Sequence, residues 1–451
     1  SSTGNSCTIP ASYNGASQGT SCTVTSPSIT VDTGYTAVGW ALDSNASSAL
    51  ATPGGTLTLT NNNTYYSISY KNEIVLTAKW NANGNTLSST TDSSCTLGKA
   101  YNNNTQATTC NVSAPTITAA SATPTIIGFN TTSSATTNSS DYAYATKQLN
   151  LTETNTGKTW YAITTASAKT YTITFNKNGA TSQTNSSGTA VTDASVTRSC
   201  TIDATYNGGV QATTCKVTSP TIAASTNTPN VIGYNTTSSA TTSSWDQTTE
   251  KSISADATYY AITSKASKTY TATYTKQGTG VTAIGATTNS CTIAATYNGT
   301  AQASSCNVTL PTITVGTGYT VVGWNTSSTA TTGTAVSTSV ALSANTTYYS
   351  ISYKDSLTYT AHFNANNATL SDASDKSCVI AKAYNSDTQA TSCTVTAPTI
   401  TAPSATPTVV GFNTTSSATT STLANSGTLT LTSTNNDSTW YAITKKDALT
   451  Y

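Results

Sequence analysis

Ten cysteines constrain this chain more than any other feature. They sit at positions 7, 22, 95, 110, 200, 215, 291, 306, 378 and 393. Taken in order they form five pairs, Cys7–Cys22, Cys95–Cys110, Cys200–Cys215, Cys291–Cys306 and Cys378–Cys393, each 15 positions apart. An even count at a fixed spacing predicts a disulfide framework, and disulfides persist in an oxidising, extracellular setting. Closing loops of this length contributes roughly 3 kcal/mol each. The other uses of paired thiols, metal binding and redox chemistry, have less behind them, because isolated pairs without His make poor zinc ligand sets. Each pair is centred on a turn-like dipeptide: Asn14-Gly15, Asn102-Asn103, Asn207-Gly208, Asn298-Gly299 and Asn385-Ser386. Asn-Gly favours a type I′ turn. The simplest expectation is a hairpin with the two cysteines opposite each other, although a bulge or longer loop would also bring them within bonding distance.

The text around the cysteines repeats. Cys291-Thr-Ile-Ala-Ala-Thr-Tyr-Asn-Gly, then Ala301-Gln-Ala-Ser-Ser-Cys306, answers Cys200-Thr-Ile-Asp-Ala-Thr-Tyr-Asn-Gly, then Gln211-Ala-Thr-Thr-Cys215. A Gly-aromatic segment follows in two versions. One reads Thr33-Gly-Tyr-Thr-Ala-Val-Gly-Trp40 and Thr317-Gly-Tyr-Thr-Val-Val-Gly-Trp324; the other reads Ile126-Ile-Gly-Phe129, Val231-Ile-Gly-Tyr234 and Val409-Val-Gly-Phe412. A polar Thr/Ser/Ala loop comes next, then a closing strand such as Thr159-Trp-Tyr-Ala-Ile, a short Lys-bearing connector, and an alternating opening strand such as Thr170-Tyr-Thr-Ile-Thr-Phe175.

These landmarks divide the chain into repeat units at 1–71, 72–168, 169–267, 268–354 and 355–446, with 447–451 the start of a further strand. The first unit lacks an opening strand. Units one and four share the Thr-Gly-Tyr version, and units two and five share Ser-Ala-Thr-Pro, so a three-unit super-repeat overlies the single one.

Composition supports strands. Thr and Ser make up more than a third of the chain, and β-branched Thr suits a pleated sheet. Only 8% of residues are charged and the net charge is +1, which leaves no electrostatic footprint for nucleic acid. No apolar run is long enough to span a membrane. There is one His, His362, and one Arg, Arg198, so a multi-histidine metal site is excluded and no cofactor is expected. With no Met and no visible signal peptide, the sequence reads as a processed protein or a window on a longer one.

The order of motifs is an opening Tyr-Thr-x-x-Phe-Asn-x-Asn-Gly strand, a Tyr-Asn-Gly turn, a Pro, Gly-Tyr-Thr-x-x-Gly-Trp-Asn-Thr, and a closing Thr-x-Tyr-Ala strand. In this order it resembles the Listeria–Bacteroides repeat, or internalin B-repeat, family across essentially the whole chain. The resemblance implies tandem β-grasp-like modules on secreted bacterial surface proteins, serving as stalks or spacers with no catalytic residues. The sequence departs from the family's pattern in its cysteine pairs, in the Ile-Thr or Ile-Ser end of its closing strand, and in its low charge.

Few residues offer chemistry. His362 lies in an alternating strand whose counterparts are Lys79, Thr174 and Thr273, so the repeat does not require it. The 17 acids form no recurring pair for glycoside chemistry, and the lysines recur at connectors, where solvation suffices, rather than beside Asn and an acid for an isopeptide bond. Most Trp and Tyr occupy strand motifs and read as core. Trp245 is the exception, in a polar Ser-Ser-Trp-Asp-Gln stretch with no evident counterpart, and is the expected surface contact. Sequons at Asn111, Asn235, Asn307 and Asn413 matter only if the producing cell glycosylates.

The expectation is therefore a mainly β protein, a tandem array of about five small β-grasp-like or all-β modules forming an elongated rod. It would act as a disulfide-stapled bacterial surface fibre, stalk or filament, with no catalysis. Connectors of four to five residues would hold neighbouring units in contact. Partners would be further copies or a longer chain, with donor-strand pairing of chain ends as the second option. The alternative is an adhesin whose modules bind a glycan or host receptor.

Overall fold

The computed structural model describes residues 4–385 and 387–450. Ser386, one half of the fifth turn dipeptide, and Tyr451 lie outside the described residues. All regular structure is β, and no helix occurs among the described residues. The described residues thus form a tandem all-β array; the helix that a β-grasp would place across its sheet does not occur among them.

The fourth unit shows the plan. Its main sheet has the order first-Cys strand (Thr288–Ile293), opening strand (Lys268–Thr275), closing strand (Thr346–Lys354), Gly-aromatic strand (Tyr319–Asn325). The two central strands run parallel and the outer two antiparallel to them. A second, two-stranded sheet pairs the second-Cys strand (Cys306–Thr309) with a return strand (Ser339–Leu342). Units two, three and five repeat both sheets. Alternation explains the strands: Lys268–Thr275 buries Tyr270, Ala272 and Tyr274 and leaves the intervening Thr residues partly or fully exposed. Each unit from two to five has its own apolar core, in unit four built from Tyr270, Tyr274, Val308, Trp324 and Leu342 among others.

The five cysteine pairs are joined in order, with Cα–Cα distances of 5.8–6.1 Å. They do not lie across a hairpin. In unit four Cys291 pairs with Tyr270 of the main sheet, whereas Cys306 pairs with Leu342 of the second sheet. The bridge therefore staples two sheets together. The hairpin expectation fails because the segment between the cysteines finds a better ladder partner in the neighbouring unit. Its turn conformation is nevertheless present, with positive φ at Asn14-Gly15, Asn207-Gly208 and Asn298-Gly299.

The glycine of Val-Gly-Trp has a packing cause. Gly323 has φ 134° at a bulge between Val321 and Gly323, and a Cβ there would stand 2.1 Å from the Thr334 carbonyl oxygen. The same bulge recurs at Gly39, Gly128, Gly233 and Gly411.

Connectors are shorter than expected. Closing and opening strands are separated only by residues 72–73, 167–168, 266–267 and 355–356. Residues 447–450 carry no strand.

Candidate functional site: the joint between units

The most elaborate polar arrangement in the chain is built four times, where one unit meets the next. The Tyr of Tyr-Asn-Gly pairs antiparallel with the end of the preceding closing strand: Tyr101 with Tyr70, Tyr206 with Thr165, Tyr297 with Ser264 and Tyr384 with Tyr353. The following Asn then clamps the preceding unit. At the joint of units three and four, the Asn298 backbone N–H donates to the Thr263 carbonyl at 2.9 Å, and the Asn298 side-chain oxygen accepts from the Thr263 N–H at 3.3 Å. Its Nδ2 donates to the carbonyls of Ser238 (2.8 Å) and Ala240 (3.4 Å). Asn102, Asn207 and Asn385 make the same set of contacts.

The acceptor is the polar Thr/Ser loop, which in units two to five is ordered by its own Asn. Asn235 donates from Nδ2 to the Thr242 carbonyl at 3.0 Å and accepts from the Thr237 N–H at 3.1 Å, an Asx turn. Asn130, Asn325 and Asn413 do likewise. Among the sequons, Asn235 and Asn413 are therefore held by these bonds, whereas Asn111 and Asn307 are exposed.

A recurring Gln completes the joint. Gln211 Nε2 donates to the Ser167 carbonyl in the connector (2.8 Å) and to Asp203 O (2.9 Å); Gln302 does the same with Ala266 and Ala294. Gln106 and Gln389 reach the Asn72 and Asp355 carbonyls, each at 2.8 Å. The glycine of Asn-x-Asn-Gly also belongs here. A Cβ on Gly179 would meet the Asn298 carbonyl oxygen at 2.3 Å, and one on Gly84 would meet that of Asn207 at 2.6 Å. The Tyr-Asn, Gln and Gly signals stand in the sequence as repeated text; nothing in one unit's own core calls for them, and that is the available clue to a contact between units.

The residues singled out from sequence fall elsewhere. Trp245 is not a surface contact: it is 4% exposed, in the core of unit three. Backbone bonds tie it to Tyr234 (Tyr234 N–H to Trp245 O, 2.7 Å), which turns the indole inward, 5.2 Å from Phe175 and 5.0 Å from Tyr259. Its Nε1 donates to the Thr249 carbonyl at 3.1 Å. It also has structural counterparts, since Ala51, Thr334 and Leu423 bridge to the Gly-aromatic strand in the same way. Where units two and five carry Trp160 and Trp440 on the closing strand, unit three carries Tyr259, and Trp245 fills the space beside it. His362 lies partly exposed, its Nδ1 2.8 Å from Asp375 and its Nε2 3.9 Å from Asp437. Among the described residues no His, Cys, Asp and Glu cluster is suited to holding a metal. Burial raises the pKa of Tyr234, whose hydroxyl accepts from Gln183 Nε2 at 3.0 Å inside the core.

The chain matches no family model, no curated protein and no solved structure.

Proposed function

We propose that the chain is an extracellular structural repeat protein, a segment of a bacterial surface fibre, stalk or filament, acting by spacing and load-bearing rather than by catalysis. The observation that carries this reading is the joint: the same clamp of Asn, Gln and strand pairing is made four times, so the sequence devotes its repeated polar residues to fixing each unit against the next. Each unit also carries one disulfide between its two sheets, as suits small cores in an oxidising compartment. The resemblance to the Listeria–Bacteroides repeats supports the same role, and further units of this kind are the partners it implies. The adhesin reading loses Trp245 as its contact.

Intact-mass measurement after alkylation without reductant tests the stapled state. Ten protected cysteines are expected, and ten free thiols would remove the extracellular reading. Surface labelling of the producing cells with an antibody to the units tests the location; signal only after permeabilisation would overturn it.

A further inference from the structure

The turn that makes each joint varies in its second residue. Where units two and three meet it is Asn207-Gly208, and where units three and four meet it is Asn298-Gly299; the other two joints carry Asn102-Asn103 and Asn385-Ser386. Asn-Gly is a chemically labile dipeptide, because no side chain on the glycine shields its backbone nitrogen from the neighbouring carboxamide. Both labile turns have a threonine guard. The Gly299 N–H donates to Thr228 Oγ1 at 3.0 Å, and that hydroxyl bonds Thr263 Oγ1 at 2.7 Å. The Gly299 carbonyl accepts from Asn227 Nδ2 at 3.1 Å. Gly208 donates to Thr123 in the same way, with Thr164 behind it. All four threonines are fully buried. The Asn298 carboxamide is meanwhile held on unit three through both its oxygen and its nitrogen. The two joints without Asn-Gly are filled by a tyrosine pair instead.

We infer that Asn207 and Asn298 are latent modification sites: a closed joint keeps each as the amide, and an opened joint lets it convert to isoaspartate and aspartate. The Gly299 nitrogen, having lost its proton to solvent, attacks the Asn298 side-chain carbonyl carbon. The bond from that carbon to Nδ2 breaks, and ammonia leaves. Water then opens the resulting succinimide at either carbonyl. Only solvent takes part, and nothing is oxidised or reduced. In the closed joint the nitrogen is engaged by Thr228 and the carboxamide is tied to unit three, so the two reacting groups are each held elsewhere. Conversion also destroys the clamp. The Nδ2 that donates to the Ser238 and Ala240 carbonyls becomes a carboxylate oxygen facing two acceptors, which repels them. An opening that lasts long enough is thereby made permanent at these two joints, whereas the joints with Asn102-Asn103 and Asn385-Ser386 close again. The inference rests on the joints alone and does not depend on the extracellular role.

The test ages the full chain in mildly alkaline buffer and follows each joint by peptide mapping, with isoaspartate scored separately. A reaction confined to the open form proceeds in proportion to the open population. Asn207 and Asn298 should therefore convert at least about tenfold more slowly in the folded chain than in the same chain unfolded in denaturant. Thr228→Val should speed conversion at Asn298 by about fivefold, the loss of one hydrogen bond, and leave Asn207 unchanged. Thr228→Ser, which keeps the hydroxyl, should restore the slow rate. In aged chain carrying the modified Asn298, amide exchange at Thr263 should be faster than in the unmodified chain. Equal rates in folded and unfolded chain would overturn the inference. So would an unchanged rate at Asn298 in Thr228→Val, an equal acceleration in Thr228→Ser, or unaltered exchange at Thr263 after conversion.

Discussion

The joint between units two and three and the joint between units four and five use one clamp with two different fillings. At the first, the Thr123 and Thr164 hydroxyls bond at 2.8 Å, and Thr123 Oγ1 accepts from the Gly208 N–H of the next unit at 2.9 Å. The joint of units three and four repeats this with Thr228, Thr263 and Gly299. At the joint of units four and five, the rings of Tyr353 and Tyr384 pack 5.4 Å apart, with the Lys382 ammonium 3.9 Å above Tyr353. The joint of units one and two repeats that with Tyr70, Tyr101 and Lys99. The filling follows the version of the Gly-aromatic segment. Units with Thr-Pro before it supply the bridging hydroxyl, and units with Thr-Gly-Tyr use the aromatic pair. The two sequence versions are thus two ways of receiving the following unit, and the super-repeat is a pattern of joints.

Substitutions at the joints break or sharpen this contrast, each read by amide exchange at the joint and by the thermal midpoint of the flanking units. The largest effect is expected from Gly179→Ala, which presses a methyl into the Asn298 carbonyl at a positive φ of 85°; it should cost about 3 kcal/mol and release the joint of units three and four. Asn367 holds the same position in unit five at φ 71°, so the turn by itself admits a side chain. Asn298→Ala comes next. It removes three side-chain hydrogen bonds to unit three and should cost about 2 kcal/mol, with Asn385→Ala giving a similar loss because the clamp is common to both joints. Thr228→Val should cost about 1 kcal/mol by leaving the Gly299 N–H unpaired, and it loosens only the joint of units three and four. Lys382→Met should have the smallest effect, confined to the joint of units four and five. Equal effects of Thr228→Val and Lys382→Met on both joints would show that the two fillings are not distinct.

Much of the architecture is legible in the amino-acid sequence. The spacing of 15 tells which cysteines belong together, and alternation in Thr170–Phe175 or Thr358–Phe363 marks strands with an inside and an outside. What stays hidden is hidden for identifiable reasons. Asn-Gly has a local preference for a tight turn, and the turn forms; the hairpin does not, because ladder pairing is decided by competing partners far along the chain. Trp245 reads as a surface residue because its neighbours are polar, yet its direction is set by backbone bonds to Tyr234 rather than by its neighbours' polarity. The opposite lesson holds for the glycines. The positive φ at Gly84, Gly179 and Gly278 would by itself admit Asn, as at Asn367; what excludes a side chain there is the carbonyl oxygen of the following unit, 2.3–2.6 Å from where a Cβ would stand.

The disulfides acquire a different meaning when the chain is pulled from its ends. Each bridge joins residues 15 positions apart, and the Tyr-Asn-Gly turn that makes the joint lies inside the bridged loop. Tension along the backbone passes through the sulfur bridge and around the turn. An overstretched unit would therefore release about 5 nm less chain than its length suggests, at roughly 3.5 Å per residue, and its clamp on the preceding unit would stay off the path of the force.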